Sequence, residues 1–177
     1  WSNAGLLEVR GGEFESNDTV FNFGSAMIAG RDATFRFGPG LVNGGAFAIS
    51  FGTSDIFGDV ANNASGTIVL SGNSNTTFYD DVINDGTFQV SSGSTVVFFG
   101  DYSGDNGIAG SGMVFIEGDL RPGNSPAQIS FGGDLHFGAL ASLEVELGGT
   151  IAGSDYDRVT VADMVSLGGT LEVSLIN

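Results

Sequence analysis

Across residues 1–98, apolar side chains alternate with small or polar ones in short bursts, and each burst follows a glycine. The apolar pairs are Leu7 and Val9, Ala26 and Ile28, Phe47 and Ile49, Ile68 and Leu70, and Phe88 and Val90. Glu8, Ala48, Thr67, Thr87 and Gln89 stand beside them. A period of two is that of a strand with one buried face.

The bursts recur at a fixed interval. An Asn-x-Gly element precedes each at Asn3-Ala4-Gly5, Asn22-Phe23-Gly24, Asn43-Gly44-Gly45 and Asn84-Asp85-Gly86, with a stretched copy running from Asn62 to Gly66. The closing glycines at 5, 24, 45, 66 and 86 are 19, 21, 21 and 20 residues apart. A second glycine, at Gly30, Gly52, Gly72 or Gly93, ends the first strand and turns the chain into another. That second strand closes on an aromatic at Phe37, Phe57, Tyr79 and Phe99; in the first copy Asn17 stands where the aromatic belongs.

Two strands and two turns in about 20 residues cannot bury their own apolar face. Stacked at about 4.8 Å per coil they can, because like residues then fall over like residues along one internal column. The pattern therefore predicts an all-β parallel solenoid with coils of about 20 residues. An antiparallel meander also alternates strand and turn, but constant phase at constant spacing favours the solenoid. Two structural ladders follow: Asn3, Asn22, Asn43 and Asn84 on one edge, and Phe37, Phe57, Tyr79 and Phe99 on another. The asparagines suit left-handed turn positions and amide-to-amide bonding along the axis.

Beyond residue 98 the spacing loosens. Residues 99–126 read as a loop insertion at 99–112 and a sharp turn at Gly118-Asp119-Leu120-Arg121-Pro122-Gly123-Asn124-Ser125-Pro126. Residues 127–177 return to alternating strands near 128–131, 134–137, 142–147, 157–161 and 169–176, as further coils of the same domain. The alternation at Met113 to Ile116 predicts one more strand, with Met113 and Phe115 available for a lateral contact if they face outward.

Composition narrows the function classes. The 177 residues carry 21 acidic groups against five arginines and no lysine, a formal charge of −16. With no basic patch, nucleic acid and anionic membranes are poor partners. No apolar run is long enough to span a bilayer. Hydrophobic residues make up 41% of the chain, too many for a disordered polyanion. The absence of cysteine removes disulfides and thiolate chemistry.

The candidate chemistry is thin. His136 is the single histidine, in an alternating strand, so a zinc site is excluded and a surface or cross-strand role is expected. Asp101, Asp105 and the Asp80-Asp81 pair are weak calcium candidates, since Asp101 to Gly107 sets oxygen ligands at alternate positions without the glycine and glutamate of an EF-hand. No cofactor and no catalytic residue are expected. Carboxylate pairs for glycoside chemistry are available among so many acids, so a glycan-binding adhesin module or polysaccharide-active enzyme on the same scaffold is the alternative.

The Asn-x-Gly coils, followed by LRPGNSPAQISFGGDL, SLEVELGG, SDYDRVTV and VSLGGTLEVSL, resemble the autotransporter-associated β-strand repeats of bacterial surface proteins. The resemblance covers nearly the whole chain. It implies a right-handed parallel β-helix, export, and a role as stalk, adhesin or scaffold outside the cell, with no catalytic residues to carry over. Trp1 starts in mid-pattern, and the alternation of Leu171, Val173 and Leu175 runs to Asn177, so neither end reads as capped. The expectation is a piece of a longer stalk or a subunit that self-associates end to end, more strongly in salt.

Overall fold

A computed structural model describes residues 1–23, 26–123 and 126–176. Gly24 of the second repeat and Asn124 and Ser125 of the proline-glycine turn lie outside the described residues. The chain is a β-solenoid of about seven turns with coils about 21 residues apart, and among the described residues there is no helix and every strand-to-strand pairing is parallel.

Each coil has three walls rather than two. The first wall stacks Ser2–Asn3, Val20–Asn22, Leu41–Asn43, Val60–Asn62, Val82–Asn84, Tyr102–Gly104, Asp119–Pro122, Ser142–Leu147 and Thr170–Leu175 in chain order. Coils are numbered below by these opening strands. In coils 1 and 2 a single bent strand, Leu6–Ser16 and Ala26–Phe37, supplies both other walls. Later coils divide it, as in Ala46–Ser50 and Thr53–Phe57, or Thr67–Ser71 and Asn75–Phe78. The first-wall strands of coils 1 to 7 were missed in the sequence because most are only three residues long. Val-x-Asn is too short to show alternation and looks like part of a turn.

The core is a set of in-register columns. Val20, Leu41, Val60, Val82, Tyr102 and Leu120 pair in succession on the first wall, and all are buried. Met27, Phe47, Ile68 and Phe88 do so on the second. Phe35, Ile56, Phe78, Phe98, Ile116 and Phe137 do so on the third. Each such side chain contributes about 1.5–3 kcal/mol by leaving water, and no coil can bury its own without the next.

Four sequence expectations need correction. In coil 2 the inward residues are Met27 and Ala29, which pair with Leu7 and Val9; Ala26 and Ile28 face outward. Asn22 precedes its inward Met27 by five residues, whereas Asn3 precedes Leu7 by four, so counting from the glycine slips the phase by one. Nor does Gly30 turn the chain. It stays in the strand, and Arg31 and Asp32 take the left-handed conformation at φ 54° and 65°.

Residues 99–126 are not an insertion. Tyr102–Gly104 continues the first wall, Ile108 and Ala109 bridge to the coils on either side, and Met113–Ile116 continues the third. Within the supposed turn, Asp119–Pro122 is another first-wall strand, with Leu120 buried between Tyr102 and Leu143. Beyond these coils lie the expected strands Gln128–Phe131, Asp134–Phe137, Ser142–Leu147, Arg158–Val161 and Thr170–Leu175.

Candidate functional site

The asparagines form one continuous amide column inside the shaft. Nδ2 of Asn3 donates to Oδ1 of Asn22 at 2.9 Å, Asn22 to Asn43 at 2.7 Å, Asn43 to Asn62 at 2.8 Å, and Asn62 to Asn84 at 2.7 Å. The second amide hydrogen of the first four reaches a backbone carbonyl, of Ala26, Ala46, Thr67 and Thr87 in turn. All five are buried. Asn62, from the stretched repeat, belongs to the column with the four expected members. None of the five has positive φ; they end first-wall strands rather than sitting in left-handed turns.

The column stops at coil 6, where Gly104 occupies the asparagine position. The Tyr102 hydroxyl accepts from Asn84 at 2.9 Å and donates to the Asn106 carbonyl at 3.0 Å. Burial pushes this phenol far above its usual range; the Asn84 hydrogen bond lowers it and the Asp85 charge raises it.

The aromatic ladder lies on the outside. Phe57 and Tyr79 stack with centroids 4.3 Å apart and planes 2° apart, and Tyr79 and Phe99 stack at 5.6 Å and 7°. Phe37 does not belong to it. Register sets Arg36 against Phe57, with its guanidinium 4.1 Å above the ring, while Phe37 turns inward and is buried. Arg36 also pairs with Glu13. Arg36 and Tyr79 cover Phe57, and Phe57 and Phe99 cover Tyr79, so these two rings offer edges rather than flat platforms. Burial, with the Asp55 charge and hydrogen bond behind it, raises the Tyr79 phenol. One rung row along, His136 stacks on Phe115 at 4.6 Å and 14°, a cross-strand contact on the outward phase that also carries the exposed Met113.

Three of the calcium candidates, Asp80, Asp81 and Asp101, hold the shaft's own backbone. Asp80 accepts from the Gly58 amide at 2.7 Å and Asp81 from Asp101 at 2.9 Å. Asp101 accepts from the Asp119 amide at 3.2 Å and pairs with Arg121 at 2.8 Å. The Asp105 amide donates to Asp85. Arg121 also meets Asp119 and Glu144, and the Glu144 hydrogen bond is the main reason its pKa rises. Among the described residues, no three His, Asp or Glu side chains converge on a point that could hold a metal.

A groove of about 670 Å³ lies on the second wall, where coil 6 supplies only the Ile108–Ala109 bridge. Thr87, Ser130 and Thr160 bring hydroxyls to it, Asn106 an amide and Asp85 a carboxylate. Among the described residues Asp85 is the one ionisable side chain lining it, so these residues can hydrogen-bond a ligand but supply no acid–base pair. No sequence signal marked it; it arises where one wall is interrupted.

No family model, curated protein or solved structure matches the chain.

Proposed function

We propose that this chain is a non-enzymatic structural protein of the cell exterior, a β-solenoid stalk segment or filament subunit of a bacterial surface or matrix. The observation that carries this reading is the register: apolar columns on every wall and an unbroken asparagine column run through coils 1 to 5. Such a shaft resists extension along its whole length, because each rung is hydrogen-bonded to the next and shares its core. The motif resemblance to autotransporter-associated repeats supports the extracellular assignment.

Axial self-association is part of the proposal. Leu171, Val173 and Leu175 on Thr170–Leu175 are exposed, as are Trp1 and Leu6 in coil 1. Another rung laid on either would cover apolar surface and pair strand edges. The charge of −16 opposes this, so association strengthens as salt screens it.

Single-molecule extension tests the mechanical reading. The shaft should unzip coil by coil, each event releasing roughly 70 Å for about 21 residues at about 3.4 Å each. Unfolding at low force in one event would overturn it. Antibody labelling of intact source cells tests the location, and sedimentation against sodium chloride tests the association.

A further inference from the structure

The second wall is continuous from coil 1 to Thr87–Val90 and then breaks. Gln128–Phe131 and Arg158–Val161 resume it as a separate two-stranded sheet, and coil 6 contributes only two bridging residues between. The groove described above is this break. It reaches from Ala64 in coil 4 to Thr160 in coil 8. At about 4.8 Å per rung that is roughly 19 Å, the length of an oligomer rather than a single small molecule.

Its floor is kept low by glycine. A Cβ on Gly107 would overlap the Ser130 carbonyl, and one on Gly110 the Val90 carbonyl, while one on Gly132 would lie 2.7 Å from the Gly110 carbonyl. Phe88, Ile108 and Phe131 are buried beneath. Outward hydroxyls on Thr87 and Ser130, the Asn106 amide and the Asp85 carboxylate are exposed along it.

We propose that this groove binds a neutral oligosaccharide segment through hydrogen bonds to its hydroxyls. Three observations select that class. The chain's charge of −16 and Asp85 in the groove repel polyanions such as uronates or nucleic acid. The strand edges at the break are already used. Ala109 donates to Phe88, Val90 to Ala109, Ile108 to Ser130 and Gly132 to Ile108, so an extended peptide finds no ladder to join there. The stacked rings Phe57 and Tyr79 are covered on both faces and the outer aromatics lie outside the groove, whose lining offers a sugar hydroxyls, an amide and a carboxylate instead. With one carboxylate among the lining residues, the ligand is held and not cleaved.

The test is ¹⁵N–¹H NMR titration of the whole chain with cellohexaose, xylohexaose and mannohexaose, with hexagalacturonate as the anionic control. Dose-dependent shifts at Thr87, Gly107, Ala109 and Ser130 with a neutral sugar, and none with the uronate, are expected. Ala109→Trp, an exposed position in mid-groove, should fill it and weaken binding at least tenfold without changing the far-ultraviolet spectrum or Tm. No shift with any neutral sugar at millimolar concentration overturns the proposal. So do shifts confined to Phe57, Tyr79 and Phe99, preferential binding of the uronate, or undiminished binding by a folded Ala109→Trp. None of these outcomes bears on the coil-by-coil extension that tests the stalk reading.

Discussion

The Asn84 side-chain amide donates to the Tyr102 hydroxyl at 2.9 Å, and there a column of five buried asparagines ends. The phenol serves as a terminal acceptor and passes the hydrogen bond on to the Asn106 carbonyl. Tyr102→Phe leaves the Asn84 amide with the Asn106 and Gly107 carbonyls alone and should cost about 1–2 kcal/mol at pH 7. Its alkaline behaviour distinguishes it further. Tyr102 has a folded pKa raised by burial far above the ordinary value of 10.0. The stability it contributes is therefore complete below pH 10 and is lost as pH rises, because the unfolded chain releases the proton first. The loss is about 1.4 kcal/mol per pH unit above 10. Urea titrations from pH 8 to 11.5 should show the two proteins converging above pH 10; parallel curves would refute this account of Tyr102.

Asn62 is an interior member of the column and donates to Asn84 at 2.7 Å and to the Thr87 carbonyl at 3.1 Å. Asn62→Leu strips the Asn43 amide of its side-chain acceptor and the Asn84 carbonyl oxygen of its donor. Two buried groups left unpaired cost about 1–3 kcal/mol each, so a loss of roughly 2–6 kcal/mol is expected in chemical denaturation. A loss below 1 kcal/mol would mean that packing, not the amide column, holds the first wall.

The period and the parallel stacking were legible because residues such as Phe47, Ile68 and Phe88 repeat at one phase, and only a solenoid brings them together. Phe37 shows where that reasoning fails. It ends its strand as Phe57 does, yet lies one residue out of register with it, because three residues turn the corner of coil 2 between Gly30 and Thr34 where coil 3 uses four between Ser50 and Asp55. Residues 99–112 were misread for a related reason: a coil whose second wall is two residues long has no alternation to detect. The groove was invisible because it depends on close approaches at Gly107, Gly110 and Gly132 between coils more than 20 residues apart.

Three hydroxyls inside the shaft, on Ser54, Ser74 and Thr76, are buried without a hydrogen-bond partner. Thr76 pairs in register with Ser54 on one side and Val96 on the other, so the column already turns apolar one rung further on. Thr76→Val keeps the shape and removes a hydroxyl whose burial costs about 1–3 kcal/mol. A gain of about 1 kcal/mol, read as a higher Tm, is expected. A loss of similar size would show that an internal water bonds this hydroxyl.

Two glycines that look alike in the sequence should respond in opposite ways. Gly58 has φ 93°, and a Cβ there would overlap the Phe37 carbonyl oxygen of the preceding coil. Neither a left-handed backbone nor a neighbouring carbonyl can yield cheaply, since that carbonyl belongs to the end of the strand beneath. Gly58→Ala should therefore cost about 3 kcal/mol or more and loosen the stacking of Arg36 on Phe57 next to it. Gly5, by contrast, has ordinary φ and nothing within 4 Å of a Cβ. Gly5→Ala restricts only the unfolded chain and should raise stability by about 0.4–1 kcal/mol. Thermal denaturation of the two variants side by side decides the matter. Equal effects would mean that the coil-to-coil approach at Gly58 is looser than its geometry shows, and that the turns, rather than the rungs beneath them, set the spacing of the shaft.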